Sequence, residues 1–217
     1  FGLILICVAF LRAIFAKRHL IKQLEREINF RRHLEVRLKK IAHQDALTEL
    51  YNRRAFFDSY QDLLRQFASP VLIYIDLDNF KQLNDTQGHE KGDEYLVLFS
   101  QTLTTLLADQ GSAFRFGGDE FVVIYGGDQA EQFVARLRDK LSNINFKTGV
   151  DLSYGLLNMS KNIPSDQLIK EADELMYRNK QEKKYRQARA KQPRPKPSLT
   201  STINSGPETN NEAPSEQ

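Results

Sequence analysis

The chain opens apolar and nearly unbroken. Residues 1–16 read FGLILICVAFLRAIFA, interrupted only by Gly2 and Arg12 and followed at once by Lys17-Arg18-His19. Apolar character that is continuous rather than periodic predicts the C-terminal part of a transmembrane helix, with the basic cluster marking the cytoplasmic side. Sixteen residues fall short of the roughly 20 that span a bilayer as a helix. The expectation therefore requires apolar residues ahead of Phe1, and the alternative is a buried or amphipathic helix. From residue 17 to 42 the rhythm changes: Leu20, Leu24, Ile28, Leu34, Leu38 and Ile41 recur among charged residues, with no Gly or Pro. That predicts a helical stalk, either a short parallel coiled coil or a lone solvated helix, because Arg31 falls where a seam residue would be wanted.

Between about 43 and 187 short elements of both periods alternate. Asn52–Phe67 reads as a helix with Phe56, Phe57, Tyr60, Leu63 and Leu64 on one side. The run from Pro70 to Asp76 reads as a buried strand ending in an acid. A second helix is expected over Gly92–Ala108. Strands at Ala113–Phe116 and Phe121–Tyr125 are joined as a hairpin by Gly117-Gly118-Asp119-Glu120. Helix 128–141, strand 150–157 and helix 165–184 follow, the last capped by Ser165. Alternating elements with one explicit hairpin predict an α/β sandwich on a mixed, largely antiparallel sheet, not a doubly wound parallel one. Residues 188–217 are rich in Pro, Ser, Thr, Asn and Gln and read as a disordered tail.

Composition narrows this only a little. The chain has 217 residues, 41% of them hydrophobic, enough for one domain with its own core. Its net charge of +3 comes from the flanks, Lys17–Lys40 and Lys180–Lys196, and a lone aromatic in each, Phe30 and Tyr185, is no interleaved set for base stacking. Nucleic acid is therefore not expected as a partner. A single cysteine, Cys7, excludes an internal disulfide and a cysteine metal site.

The candidate chemistry lies at the strand ends. Asp76 closes a buried strand, and a hairpin pairing beside it would bring Asp119 and Glu120 to the same edge. Carboxylates converging there repel one another unless a hard cation such as Mg²⁺ or Mn²⁺ neutralises them. Such a metal, held by few protein ligands and completed by phosphates, belongs to phosphoryl and nucleotidyl transfer. The competing reading of an acidic hairpin tip is a solvated turn. After Asp76, a stretch containing Asp78-Asn79-Phe80-Lys81, Asn84-Asp85, Gly88-His89 and Gly92-Asp93 reads as a loop. It offers backbone N–H groups and a lysine to phosphates, and acceptors to guanine, whose N1–H and amino group are donors.

These motifs, in this order, resemble one family. Gly117-Gly118-Asp119-Glu120-Phe121 is the signature of the GGDEF diguanylate cyclases. Asp45-Ala46-Leu47-Thr48, Asn52-Arg53-Arg54, the run from Asp76 to Asp85, and Ala172-Asp173 with Leu175-Met176-Tyr177 are similar to the same family, over roughly residues 43–184. The resemblance implies a fold like the palm of nucleotide cyclases and polymerases, and a homodimer in which each subunit holds one GTP. The activity implied is condensation of two GTP into cyclic di-GMP with release of two pyrophosphates. It further implies Asp76, Asp119 and the Leu77 carbonyl as ligands of Mg²⁺ or Mn²⁺, and Glu120 assisting the metal or deprotonating the attacking hydroxyl. Asn84 and Asp93 would read guanine, while Phe80, Lys81, Lys180 and Lys184 would serve the phosphates. With the N-terminal segment, the expected location is a bacterial inner membrane with the catalytic domain in the cytoplasm.

Some features depart from the family pattern. Lys183-Lys184 stands where a Gly-Arg pair is usual, and Glu49 takes a common glycine position. Ala108-Asp109-Gln110-Gly111 replaces the Arg-x-x-Asp of the inhibitory product site. The alternative function is a catalytically silent domain of the same type that binds GTP or a protein and only signals.

Overall fold

The computed structural model describes residues 2–142 and 149–191. The first element, α1, is one uninterrupted helix over Gly2–His43. The expected boundary near residue 17 is therefore no break in structure, since nothing between Leu3 and His43 stops a helix. Leu3, Ile4, Ile6, Phe10 and Phe15 are exposed, as are Leu20, Leu24, Leu34 and Leu38 farther on. Residues 1–16, expected to be the C-terminal part of a membrane-spanning helix, do not span a membrane by themselves: among the described residues no helix is long and apolar enough to cross one.

The remaining elements are β1 (Tyr51–Asn52), α2 (Arg53–Gln66), β2 (Val71–Asp78), α3 (Phe80–Gln87), α4 (His89–Leu107), β3 (Gly111–Gly117), β4 (Glu120–Tyr125), α5 (Ala130–Ser142), β5 (Asp151–Asn158) and α6 (Ser165–Lys191). Five strands form one sheet in the order β1-β3-β4-β2-β5. Only β1 and β3 run parallel; every other neighbouring pair is antiparallel. The mixed, largely antiparallel α/β sandwich predicted from the alternation of elements is the observed fold.

Strand alternation assigns the two faces. On β2, Ile73, Ile75 and Leu77 point into a core closed by α3, α4 and α5, with Phe99, Leu103, Phe121 and Leu137 fully buried in it. Leu72 and Tyr74 point the other way, into a core closed by α2 and α6 around Phe56, Phe114, Leu168 and Ala172. Phe56 meets Phe114 and Phe116 edge-on, at ring-centroid distances of 5.5 and 5.4 Å. Helix α6 lies directly on β5 because of Gly155: a Cβ there would collide with the Ala172 carbonyl and the Met176 backbone nitrogen.

Several expectations shift. The stretch read as a phosphate loop after Asp78 is helix α3, followed directly by α4, which starts at His89 rather than Gly92. Strand β2 continues two residues past Asp76. Helix α2 starts at Arg53 rather than Asn52, which caps it instead, accepting from the Ala55 N–H at 3.0 Å. Ser165 is the first residue of α6 rather than its cap, and Pro164 supplies the first carbonyl. Ala188–Lys191 extend that helix, and the rest of the expected tail, 192–217, lies outside the described residues.

Candidate active site

The antiparallel register of β2 and β4 puts Asp76 directly opposite Glu120. Alternation from Leu72 and Tyr74 places Asp76 and Asp78 on the α6 face, so an apolar strand face ends in two acids. Asp119 stands in the turn just before Glu120, and its carbonyl accepts the Leu77 N–H at 3.1 Å. Arg115 fixes the same turn from below. Its Nη2 and Nε donate to the Gly118 carbonyl at 2.8 and 3.2 Å, while Nη1 reaches Asp45 at 2.8 Å. Asp45 also accepts from the Thr48 N–H and hydroxyl. Burial alone would raise its pKa, but these bonds hold it below the ordinary carboxylate value.

Two acids of this edge, Asp119 and Glu120, bind protons more tightly than usual. Burial raises Asp119, and the neighbouring Asp76 charge adds to the rise. Burial also raises Glu120, followed by Asp173 and the other two acids, against a hydrogen bond from the buried Tyr74 hydroxyl. Desolvation and the carboxylates, Glu120 foremost, push Tyr74 itself upward. The cation that answers them comes from α6: Lys180 Nζ lies 2.5 Å from Asp76 Oδ1 and 3.7 Å from Asp78 Oδ1. Although burial disfavours its charge, the bond to Asp76 leaves its pKa raised.

Among the described residues no group of three or more His, Cys, Asp or Glu is arranged to hold a metal ion. The donor chemistry nonetheless fits a hard cation. Asp76 and Asp119 are oxygen donors whose charges oppose one another, and Mg²⁺ takes few protein ligands when phosphates complete its shell.

The other expected residues fall in two groups. Asn84, on α3, has a buried Oδ1 with no hydrogen-bond partner. It lies against Gly92 of α4, where a Cβ would strike it. An orphaned buried acceptor is rare in folded proteins and marks a place for a donor to arrive. Asp93 is exposed one residue on. Phe80, by contrast, is a core residue, 8% exposed and packed with Leu83 and Leu96, which leaves only its backbone for a ligand. Lys81 and Lys184 are exposed. Lys184 lines a cleft of about 250 Å³ beside Asn79, Lys180 and Lys183.

Comparison with known proteins agrees with this geometry. Residues 42–186 match the family described as diguanylate cyclase, GGDEF domain. The chain belongs to the GGDEF diguanylate cyclase family. It is 33% identical over 166 residues to the probable diguanylate cyclase DgcJ of Escherichia coli, covering 73% of this chain and 33% of that one. It is 37% identical over 146 residues to diguanylate cyclase DgcS of Shewanella oneidensis, covering 63% and 49%. The coiled coil and GGDEF domain of DgcB from Caulobacter crescentus, solved with c-di-GMP, superposes with a TM-score of 0.64 at 26% identity, covering 76% of this chain and 94% of that one. This GGDEF chain thus spans a third to a half of the length of its curated relatives.

Reading the sequence alone gave no site role to Tyr74, Arg115, Asp151 or Ser153, and met Asp78, Asp173 and Lys183 only as members of motifs. A period of two from Asp76 gives Asp78 the same face, and a spacing of three from Lys180 gives Lys183 the same side of a helix. Those signals were present. Asp151 and Ser153 become neighbours of Asp78 and Asp76 only through the β2–β5 register, which no local pattern announces.

Proposed function

We propose that this chain is an active diguanylate cyclase that condenses two GTP into cyclic di-GMP and works as a homodimer with one GTP per subunit. The observation that carries this reading is Asp76 set opposite Glu120 with the Lys180 ammonium held on Asp76. In this reading Glu120, the Asp76 oxygens and the Lys180 ammonium, which share one edge, serve as base, metal ligands and phosphate-binding cation. In the reaction each 3′-oxygen attacks the α-phosphorus of the other GTP, a P–O bond forms, and pyrophosphate leaves. Glu120 takes the hydroxyl proton. Its raised proton affinity suits a general base better than that of an ordinary surface carboxylate. A divalent cation, Mg²⁺ or Mn²⁺, would be held by Asp76, Asp119 and the Leu77 carbonyl, and when bound it neutralises triphosphate charge. Lys81, Lys180 and Lys184 bind phosphate oxygens. The Asn84 Oδ1 and the Asp93 carboxylate accept from guanine's N–H donors.

Two identical half-sites suit a symmetric product. The exposed Leu20, Leu24, Leu34 and Leu38 of α1 support self-pairing that would bring the half-sites together. Incubating the full chain with GTP and Mg²⁺ and identifying the product by mass spectrometry tests the proposal. Cyclic di-GMP is expected; GTP bound but left unchanged would instead indicate a silent signalling domain.

A further inference from the structure

Lys183 stands one helical turn beyond Lys180 and faces the same strands, but its surroundings differ. Its Nζ lies 2.7 Å from Asp78 Oδ2, 2.6 Å from Asp151 Oδ2 and 2.8 Å from the Leu152 carbonyl. An ammonium has three donors, so Lys183 has none left for a phosphate. Asp78 and Asp151 are direct cross-strand partners in the β2–β5 register. Like charges placed directly opposite one another repel, and Lys183 sits between them. Ser153 adds a bond to Asp78 Oδ2 at 2.7 Å, and Arg138 binds the other oxygen of Asp151 at 3.1 Å. Lys180 is left shared between two unequal carboxylates, close to Asp76 and 1.2 Å farther from Asp78 (3.7 against 2.5 Å).

We infer that Lys183 is a positioning residue: by neutralising the Asp78–Asp151 pair it keeps Asp78 from drawing Lys180 away from Asp76. Lys180 is thereby aimed at the edge where Glu120 and the turn lie. Without Lys183, Asp78 would carry an uncompensated charge within ion-pair distance of Lys180, and the lysine would move toward it. The consequence for GTP rests on the reading of Lys180 as a phosphate ligand; the consequence for the position of Lys180 does not.

The full chain carrying ¹⁵N-labelled lysine side chains provides the test. In the wild type the Lys183 ammonium should exchange its protons with water slowly, and that of Lys184 quickly. Equal, fast exchange would overturn the inference with no variant needed. In Lys183→Met the Lys180 signal should shift, and adding Asp78→Asn should bring it back toward the wild-type position. In kinetics, Lys183→Met should raise KM for GTP by roughly tenfold, the scale on which losing an orienting partner weakens a ligand site, with kcat changed far less. Lys183→Arg, which can still bridge two carboxylates, should recover most of the loss. The double variant Lys183→Met with Asp78→Asn should also recover, whereas a merely structural role would make the double variant worse than the single. An unmoved Lys180 signal, or a double variant as impaired as Lys183→Met, defeats the inference. If the wild type makes no cyclic di-GMP while the signals shift as described, the cyclase reading fails and the positioning role stands.

Discussion

The two faces of β2 are built from alternate residues of one eight-residue strand, yet they serve opposite ends. Ile73, Ile75 and Leu77 enter a core that holds no charged residue. Leu72, Tyr74, Asp76 and Asp78 start apolar and end charged, under a helix that changes in step: Leu168, Ala172 and Met176 are buried, then Lys180 and Lys183 reach the acids. One face therefore holds the strand in register, and the other uses that register to place charge. A slip of one residue would exchange the faces, so the apolar side guarantees the geometry of the polar one.

The comparison predicts that damage on the two faces separates cleanly. The largest effect should come from Asp119→Ala, which leaves both cores intact and should abolish turnover while thermal unfolding stays within a few degrees of wild type. Turnover at the wild-type level under saturating Mg²⁺ would remove Asp119 from the chemistry. Next is Ile75→Ala on the apolar face, expected to cost about 2–5 kcal/mol in stability, as large-to-small core substitutions do. Molecules still folded should keep a near-normal kcat, which denaturant titration and kinetics on one sample can establish. A smaller change is expected for Asp93→Ser. Guanine donors left unpaired cost about 1–3 kcal/mol, so GTP use should fall and discrimination against ATP should weaken; an unchanged GTP/ATP ratio would show that Asp93 does not read the base.

The smallest effect concerns pH. The folded pKa of Asp45 lies below 3.8, its unfolded value. The ionised form is thus favoured by folding, and its contribution is present above 3.8 and lost as pH falls through the folded value. Asp45→Asn should lower stability at neutral pH and flatten the acid limb of a stability–pH curve. A parallel curve, shifted by the same amount at every pH, would mean that the Asp45–Arg115 pair contributes through packing alone.

What the sequence made legible follows the strength of local signals. The VLIYI run, the Gly117–Glu120 connection and the apolar stripe of α2 identify themselves, and with them the sheet and the acids at its edge. Helix α3 does not: Phe80 and Leu83 are its only buried residues, and it begins after Asn79 in a left-handed conformation with no side-chain cap. Strand β1 is two residues long and is defined by its pairing with β3 and a bridge from Tyr51 to Gln44. The charge network around Lys183 depends on which strand neighbours which, and a linear pattern does not carry that information.

Helix α1 has one more consequence. Forty-two residues make a rod about 63 Å long at 1.5 Å per residue, with no proline or glycine past its first residue to act as a joint. At its far end the rod is clamped to the sheet: Asn52 donates to the Ala42 carbonyl at 3.0 Å, and His43 meets Asp58 on α2 at 3.0 Å. Two residues past the last helical turn, Asp45 meets Arg115, and that same arginine holds the Gly118 carbonyl in the turn that carries Asp119.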